Sequence, residues 1–209
     1  MNILAHLYLS KGINKLMLGN YMGDFVKGNQ YLNYPEPIQQ GILLHRKIDD
    51  FTDKHEAHRS SRDRFRKKYG LHSGIVVDIV YDHFLANRWN FIHPTPLEDY
   101  ASEVYLYISQ NQQWLPQRLN EITTHLIKNN WLVLYKSLSG IEKVLKGMAY
   151  RTSLPDQVSF AMEIIDNEYT MLQQEFQELI ELLDKLAQQE INGKLLELNY
   201  NEIINYRNI

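Results

Sequence analysis

Cysteine is absent from this chain of 209 residues. Its absence excludes disulfides, thiolate zinc sites and iron–sulfur clusters, so a metal ion would have to be held by carboxylates and imidazoles. The sequence also lacks an apolar run of the roughly 20 residues that cross a membrane. Its first residues lack the basic flank and the long apolar stretch of a signal peptide. We therefore expect a cytoplasmic protein with no membrane partner.

Proline is scarce, with six residues, and no segment shows the alternating pattern of a β-strand. Almost every segment instead places apolar residues at helical spacing. At 209 residues the chain most simply forms one domain. The expected fold is an all-α, single-domain helical bundle over residues 1–209. Its predicted helices cover residues 38–53, 56–69, 74–89, 97–114, 119–129 and 141–150.

The longest predicted helix covers residues 155–189, where apolar residues alternate in steps of four and three, as in a heptad repeat. This stripe is typical of a packing helix in a bundle core, and the seam of a homodimer is the alternative. Asn192-Gly193 is expected to end the helix, and a last amphipathic helix is expected over residues 194–206. Residues 1–151 would then carry the functional motifs, and residues 155–209 would form C-terminal packing helices.

The formal net charge of −3 is unevenly distributed along the chain. Residues 54–68 contain seven basic and two acidic side chains, so this segment carries +5 and the remainder carries −8. A basic surface on an acidic body favours docking of an anionic partner. We expect that this partner is not a nucleic acid. An ordinary solvated helix face is the alternative. The predicted docking residues are Arg59, Arg62, Arg66 and Lys67.

Two of the predicted helices place acids and histidines on their apolar faces. In the first, His45 and Asp49 lie one turn apart and face the same way. In the second, Asp82 lies within the apolar stripe, with His83 beside it. Burying a carboxylate costs several kcal/mol unless it is paired or bound to a cation. The pattern therefore favours a shared divalent cation, and a buried salt bridge to an arginine is the alternative.

A third polar segment, residues 19–29, places Asp24 among glycines, where the backbone can approach a ligand closely. His6, on an expected N-terminal helix, would either complete the site or be a hydrogen-bonded core residue. Aspartate and histidine ligands without thiolates suit Mn²⁺, Mg²⁺ or Fe²⁺.

Motifs along the first 151 residues carry a resemblance to a known family. They include Met-Asn-Ile-Leu-Ala-His-Leu at residues 1–7, Asp-Phe-Val-Lys-Gly-Asn at 24–29, His-Arg-Lys-Ile-Asp at 45–49 and Gly-Met-Ala-Tyr-Arg at 147–151. In these motifs the chain resembles the acyl carrier protein phosphodiesterases, which are distantly related to the HD-type metal phosphohydrolases. The resemblance implies an HD-like fold.

The resemblance also implies a reaction, the hydrolysis of the phosphodiester that joins 4'-phosphopantetheine to a serine of holo-acyl carrier protein. This is a hydrolase reaction of fatty acid and lipid metabolism, with Mn²⁺ as the cofactor. The catalytic and metal-ligating residues implied by position are Asp24, His45, Asp49, Asp82 and His83. The supporting residues would be His6, Lys27, Arg46, Asp53, Asp78 and Arg151. An HD-type hydrolase of nucleotides or cyclic nucleotides and a non-enzymatic helical binding protein are the alternatives.

Overall fold

The computed structural model describes residues 2–12 and 14–207, with side chains as far as residue 193. Within these residues the chain is helical and contains no β-strand, so the predicted all-α fold is confirmed. Among the described residues, no helix combines the length and the apolar character needed to cross a membrane. The helices are α1 (Ile3–Leu9), α2 (Lys15–Met22), α3 (Glu36–Lys54), α4 (Glu56–Tyr69), α5 (Ser73–Ile92), α6 (Leu97–Gln110), α7 (Gln117–Lys128), α8 (Trp131–Leu134), α9 (Leu138–Arg151) and α10 (Val158–Arg207).

The six shorter predicted helices correspond to α3, α4, α5, α6, α7 and α9, with ends that differ by a few residues. The helix predicted over residues 97–114 stops earlier, because α6 ends at Gln110 and a 3-10 turn follows at Gln112–Trp114. Helices α2 and α8 were not predicted. They span eight and four residues, which is too short for an apolar period to stand out.

Helix α5 lies at the centre of the bundle. Every residue from Ile79 to Ala86 is buried, so the helix is enclosed on all sides rather than along one stripe. The other helices surround it, and α1, α4, α9 and α10 each pack against it. Any polar side chain in this stretch of α5 must therefore find its partner inside the protein.

Asp82 and His83, two predicted metal ligands, lie in this enclosed stretch and have protein partners. The Asp82 carboxylate accepts the backbone N–H of Leu4 at 2.9 Å and that of Ala5 at 3.0 Å, so it caps the start of α1. His83 donates from Nδ1 to the carbonyl oxygen of Tyr135 at 2.7 Å, and its Nε2 lies 3.0 Å from the Tyr169 hydroxyl. The structure does not bring the two side chains together at a cation site, because protein groups already occupy their ligand atoms.

Helices α2 and α3 cross in direct backbone contact at Gly19 and Gly41. A Cβ atom on Gly19 would collide with the carbonyl oxygen of Ile38, and one on Gly41 with that of Leu16. Only glycine allows this approach. The crossing brings Asn20, the residue after Gly19, against the following turn of α3.

Helix α10 packs its apolar stripe against the bundle, as the heptad pattern predicted. Leu172, Phe176, Leu179 and Leu183 are all buried. The helix is interrupted by non-helical dihedrals at Glu168 and continues through Asn192-Gly193, where an end was predicted. The predicted amphipathic face of residues 194–206 lies outside the described side chains. The homodimer seam stays a prediction.

The capping role of Asp82 can be tested by stability. We expect Asp82→Ala to lower the free energy of unfolding by about 2 kcal/mol or more, because two buried N–H groups would lose their acceptor. Asp166→Ala, on the exposed face of α10, should change it by about 0.5 kcal/mol or less. Urea unfolding of the metal-free proteins measures both. Equal stability of the two variants would contradict the capping role.

Candidate metal centre

Four of the titratable side chains predicted from the sequence meet at one point. His6 comes from α1, Asp24 from the 3-10 turn Gly23–Phe25 after α2, and His45 and Asp49 from α3. His45 Nε2 lies 3.0 Å from Asp49 Oδ2 and 3.5 Å from Asp24 Oδ1. His6 Nε2 lies 3.2 Å from Asp49 Oδ1. We call these four residues the His/Asp cluster.

The two imidazoles form the inner side of the cluster and the two carboxylates its outer side. The rings of His6 and His45 are buried and stack with their centroids 4.0 Å apart. The Asp49 side chain is 34% exposed and that of Asp24 is 70% exposed. Gly23 allows this packing, because a Cβ atom there would collide with the His45 ring. The cluster is therefore open to solvent from the carboxylate side.

Asn20 fixes the orientation of both imidazoles. Its backbone carbonyl lies 2.7 Å from His45 Nδ1, which must donate because a carbonyl oxygen can only accept. Its side-chain amide donates to the His6 carbonyl at 2.8 Å and to Ser10 Oγ at 2.9 Å. This leaves Asn20 Oδ1 to accept from His6 Nδ1 at 2.8 Å. Both histidines thus carry a proton on Nδ1 and direct Nε2 at the carboxylates.

The charges of the cluster are strongly coupled. Burial lowers the pKa of His45, but its contacts with Asp24 and Asp49 outweigh burial and raise the pKa to about 9. Burial and the neighbouring His45 lower the pKa of His6. Burial raises the pKa of Asp49, and its contacts with His45 and His6 bring it well below the ordinary value. In the absence of another cation, positive charge on His45 offsets the two carboxylates.

The donor atoms of the cluster fit a divalent cation. Ligand atoms of His6, His45 and Asp49 all lie within 4.8 Å of one another. The Nε2 atoms of both histidines are buried, and neither makes a well-aligned hydrogen bond to any described residue, despite the short distances to the carboxylates. Two imidazole nitrogens with carboxylate oxygens form a donor set for Mn²⁺, Fe²⁺ or Zn²⁺. A metal ion would give both Nε2 lone pairs a partner.

Asp53 and Asp78, predicted to support a ligand histidine, lie instead around His58. His58 Nε2 is 3.2 Å from Asp78 Oδ1, and His58 Nδ1 is 3.9 Å from Asp53 Oδ1. The sequence analysis did not single out His58, which is buried on α4. Asp78 also interacts electrostatically with Asp49 of the His/Asp cluster.

Arg46 holds the segment that carries Asp24. Its guanidinium donates to the carbonyl oxygens of Val26 at 2.9 Å and Gly28 at 2.8 Å, and it lies over the Tyr31 ring. Arg46, predicted to be a supporting residue, lines the same shallow opening as Asp24, His45 and Asp49. Lys27 is exposed beside it.

Two openings lead to the cluster. The more enclosed of the two, which we call the enclosed cleft, has a volume of about 220 Å³ and is lined by His6, Asp24 and His45 of the cluster and by Arg151 at the end of α9. The other, which we call the basic opening, is shallower and is lined by Asp24, His45 and Asp49 together with the cationic side chains of Lys27 and Arg46. Asp24 and His45 line both openings.

The basic run forms much of α4. Arg59, Arg66 and Lys67 are exposed, as docking would require, whereas Arg62 is half-buried with Nη1 3.6 Å from Asp53 Oδ1. Arg64 does not contribute to a free basic surface, because Nη1 donates to Glu175 on α10 at 2.8 Å. The docking role of this surface stays a prediction.

Known proteins are similar to this chain over most of its length. A family model described as acyl carrier protein phosphodiesterase matches residues 1–183. The acyl carrier protein phosphodiesterase of Photorhabdus laumondii is 34% identical over 174 residues, which cover 81% of this chain and 86% of the relative. Those of Salmonella paratyphi A and Salmonella agona are 32% identical over 177 residues, which cover 84% of this chain and 92% of each relative. No solved structure matches the chain significantly.

The role of Asn20 leads to a prediction about metal affinity. We expect Asn20→Ala to weaken binding of Mn²⁺ by about 10- to 100-fold, because His6 would lose the acceptor that orients it. Ser10→Ala should weaken it less, since Asn20 would keep its contacts with His6. Titration calorimetry on both variants, with circular dichroism to verify folding, makes the measurement. Unchanged affinity in a folded Asn20→Ala protein would contradict the role.

Proposed function

We propose, because this chain belongs to the acyl carrier protein phosphodiesterase family, that it hydrolyses the phosphodiester between 4'-phosphopantetheine and a serine of holo-acyl carrier protein. The products would be apo-acyl carrier protein and free 4'-phosphopantetheine. The observation that carries the proposal is the His/Asp cluster, a preorganised donor set at the meeting point of two openings. The relation to HD-type phosphohydrolases and the cytoplasmic location stay predictions.

We further propose that the activity depends on a metal ion, with Mn²⁺ as the expected ion. The residues that would hold it are His6, His45 and Asp49, with Asp24 beside them. This set differs from the ligands predicted from the sequence in two ways. It includes His6, and it does not include Asp82 or His83. When bound, a divalent ion lowers the pKa of a coordinated water and polarises a phosphoryl oxygen.

The protein's own groups then divide the remaining tasks. Contact with His45 lowers the pKa of Asp24, so its exposed carboxylate is ionised at neutral pH and can accept a hydrogen bond from the attacking water. Asn20 keeps both Nε2 atoms aimed at the reaction centre. Lys27 and Arg46, at the basic opening, would offset negative charge on the phosphoryl oxygens.

The exposed basic side chains of α4 would meet the partner protein. Acyl carrier protein presents an acidic surface, and complementary charge mainly speeds the encounter between partners. Arg59, Arg66 and Lys67 are the exposed members of this surface. Arg62 is less suited to docking, because it is half-buried against Asp53.

The reaction can be tested with purified holo-acyl carrier protein, with and without added Mn²⁺. We expect Mn²⁺-dependent release of 4'-phosphopantetheine, and we expect Asp49→Asn to lower kcat/KM by about 100-fold or more because the cluster loses an anionic ligand. Asp50→Asn is the matched control, since Asp50 lies next along α3 but pairs with Lys54. Release of phosphopantetheine is followed by mass spectrometry of the carrier protein.

Two results would count against this assignment. If the protein hydrolysed nucleotides but not holo-acyl carrier protein, its substrate would be a nucleotide and the proposed substrate would be wrong. Equal activity of the Asp49→Asn and Asp50→Asn variants would place it at another site.

Charge reversal on α4 tests the docking surface. We expect Arg59→Glu, Arg66→Glu and Lys67→Glu together to raise KM for the carrier protein by about tenfold at low salt, with hydrolysis of a small diester such as bis(4-nitrophenyl) phosphate unchanged. The control is a triple reversal of exposed residues on α7 and α9, namely Arg118, Lys128 and Lys143. Similar KM values for the two triple variants would contradict docking at α4.

A further inference from the structure

We propose that the enclosed cleft at the His/Asp cluster binds the pantetheine chain of the substrate, and that the carrier protein stays outside, at the basic opening. The inference rests on the proposed function and specifies how the two unequal substituents of the phosphodiester are placed. One substituent is a thin, uncharged chain and the other is a folded protein.

The enclosed cleft has a lining suited to a thin chain. His6, Asp24 and His45 of the cluster form part of that lining. Its walls come from α7, α8 and α9, where the lining side chains are chiefly apolar, namely Leu119, Ile122, Trp131 and Met148. It is more enclosed than the basic opening, so it suits an extended chain better than the surface of a folded domain.

Pantetheine matches this lining in its chemistry. The chain carries a dimethyl-substituted carbon and several methylene groups, which can contact apolar walls, and two amides, which need hydrogen-bond partners. The cleft offers such partners at Asn2, His125 and Thr152. The chain has no charge of its own, so a mostly apolar cleft costs it little desolvation.

The basic opening suits the other side of the diester. It is shallow and is lined by Lys27, Gly28 and Arg46 together with Asp24, His45 and Asp49. A surface of this kind can contact phosphoryl oxygens and a protein backbone, but it has no deep apolar wall for a chain. Because Asp24 and His45 line both openings, a phosphate bound at the cluster would have one substituent directed into each.

Gly147 on α9 offers a way to fill the cleft without disturbing the core. It lines the cleft, and a Cβ atom there would meet only the Arg151 guanidinium, at 3.4 Å, among the described atoms. A leucine at this position is also a better helix former than glycine. Gly147→Leu should therefore fold at least as well as the native protein and narrow the cleft.

The experiment compares Gly147→Leu with Lys143→Leu, a surface substitution on the same helix. We expect Gly147→Leu to raise KM for holo-acyl carrier protein by about tenfold or more and to weaken binding of free pantetheine by a similar factor. Hydrolysis of bis(4-nitrophenyl) phosphate and binding of Mn²⁺ should be unchanged. Lys143→Leu should match the native protein in all four measurements.

The outcomes separate this inference from the proposed function. If the native protein hydrolyses holo-carrier protein and Gly147→Leu does so equally well, the cleft does not hold the chain and the proposed function stands. If the native protein does not hydrolyse holo-carrier protein, the proposed function fails, and calorimetry with pantetheine still decides the inference. Absence of pantetheine binding by the native protein would overturn it.

Discussion

Two imidazole Nδ1–H groups donate to one residue, Asn20, and the geometry of the His/Asp cluster depends on these two hydrogen bonds. A neutral histidine that donates from Nδ1 has its lone pair on Nε2, so both rings present a metal-binding atom on the same side. The backbone carbonyl of Asn20 can accept the hydrogen bond of His45 Nδ1 only because α2 and α3 are in contact at Gly19 and Gly41. The contact between two glycines thus determines the direction in which the Nε2 lone pair of His45 points.

A second constraint comes from the central helix. Asp82 is buried on α5 and accepts hydrogen bonds from the backbone N–H groups of Leu4 and Ala5 in the first turn of α1. His6 is the next residue of that helix. The carboxylate that looked like a ligand in the sequence therefore supports the cluster through the helix that carries one of its histidines. Helix α5 can provide this support because packing on all sides leaves it little freedom to shift.

Helical periodicity was sufficient to predict the all-α fold, the long packing helix and the pairing of His45 with Asp49, because these features depend on residues within one helix. It could not assign Asp82. A carboxylate on an apolar stripe has the same sequence pattern whether it binds a cation or caps another helix, and only the position of α1 distinguishes the two.

Asn20 gave no signal of its own, since its function lies in contacts with residues 14 positions before it and 25 after it. One pattern could have drawn attention to Asn20: it is a polar residue in a mostly apolar helix, and it directly follows Gly19, the glycine at which α2 contacts α3.

The cluster differs from an ordinary buried ion pair in how its atoms are used. In a pair of histidine and aspartate held for stability, a ring N–H would point at a carboxylate oxygen along a well-aligned hydrogen bond. Here the Nε2 atoms approach the carboxylates to 3.0 and 3.2 Å without that alignment. Both carboxylates also lie on the solvent side of the cluster, where two openings meet, so their oxygens are accessible to a ligand. Accessible carboxylates beside two imidazole Nε2 atoms that lack an aligned partner are explained if a cation and a phosphate belong between these side chains.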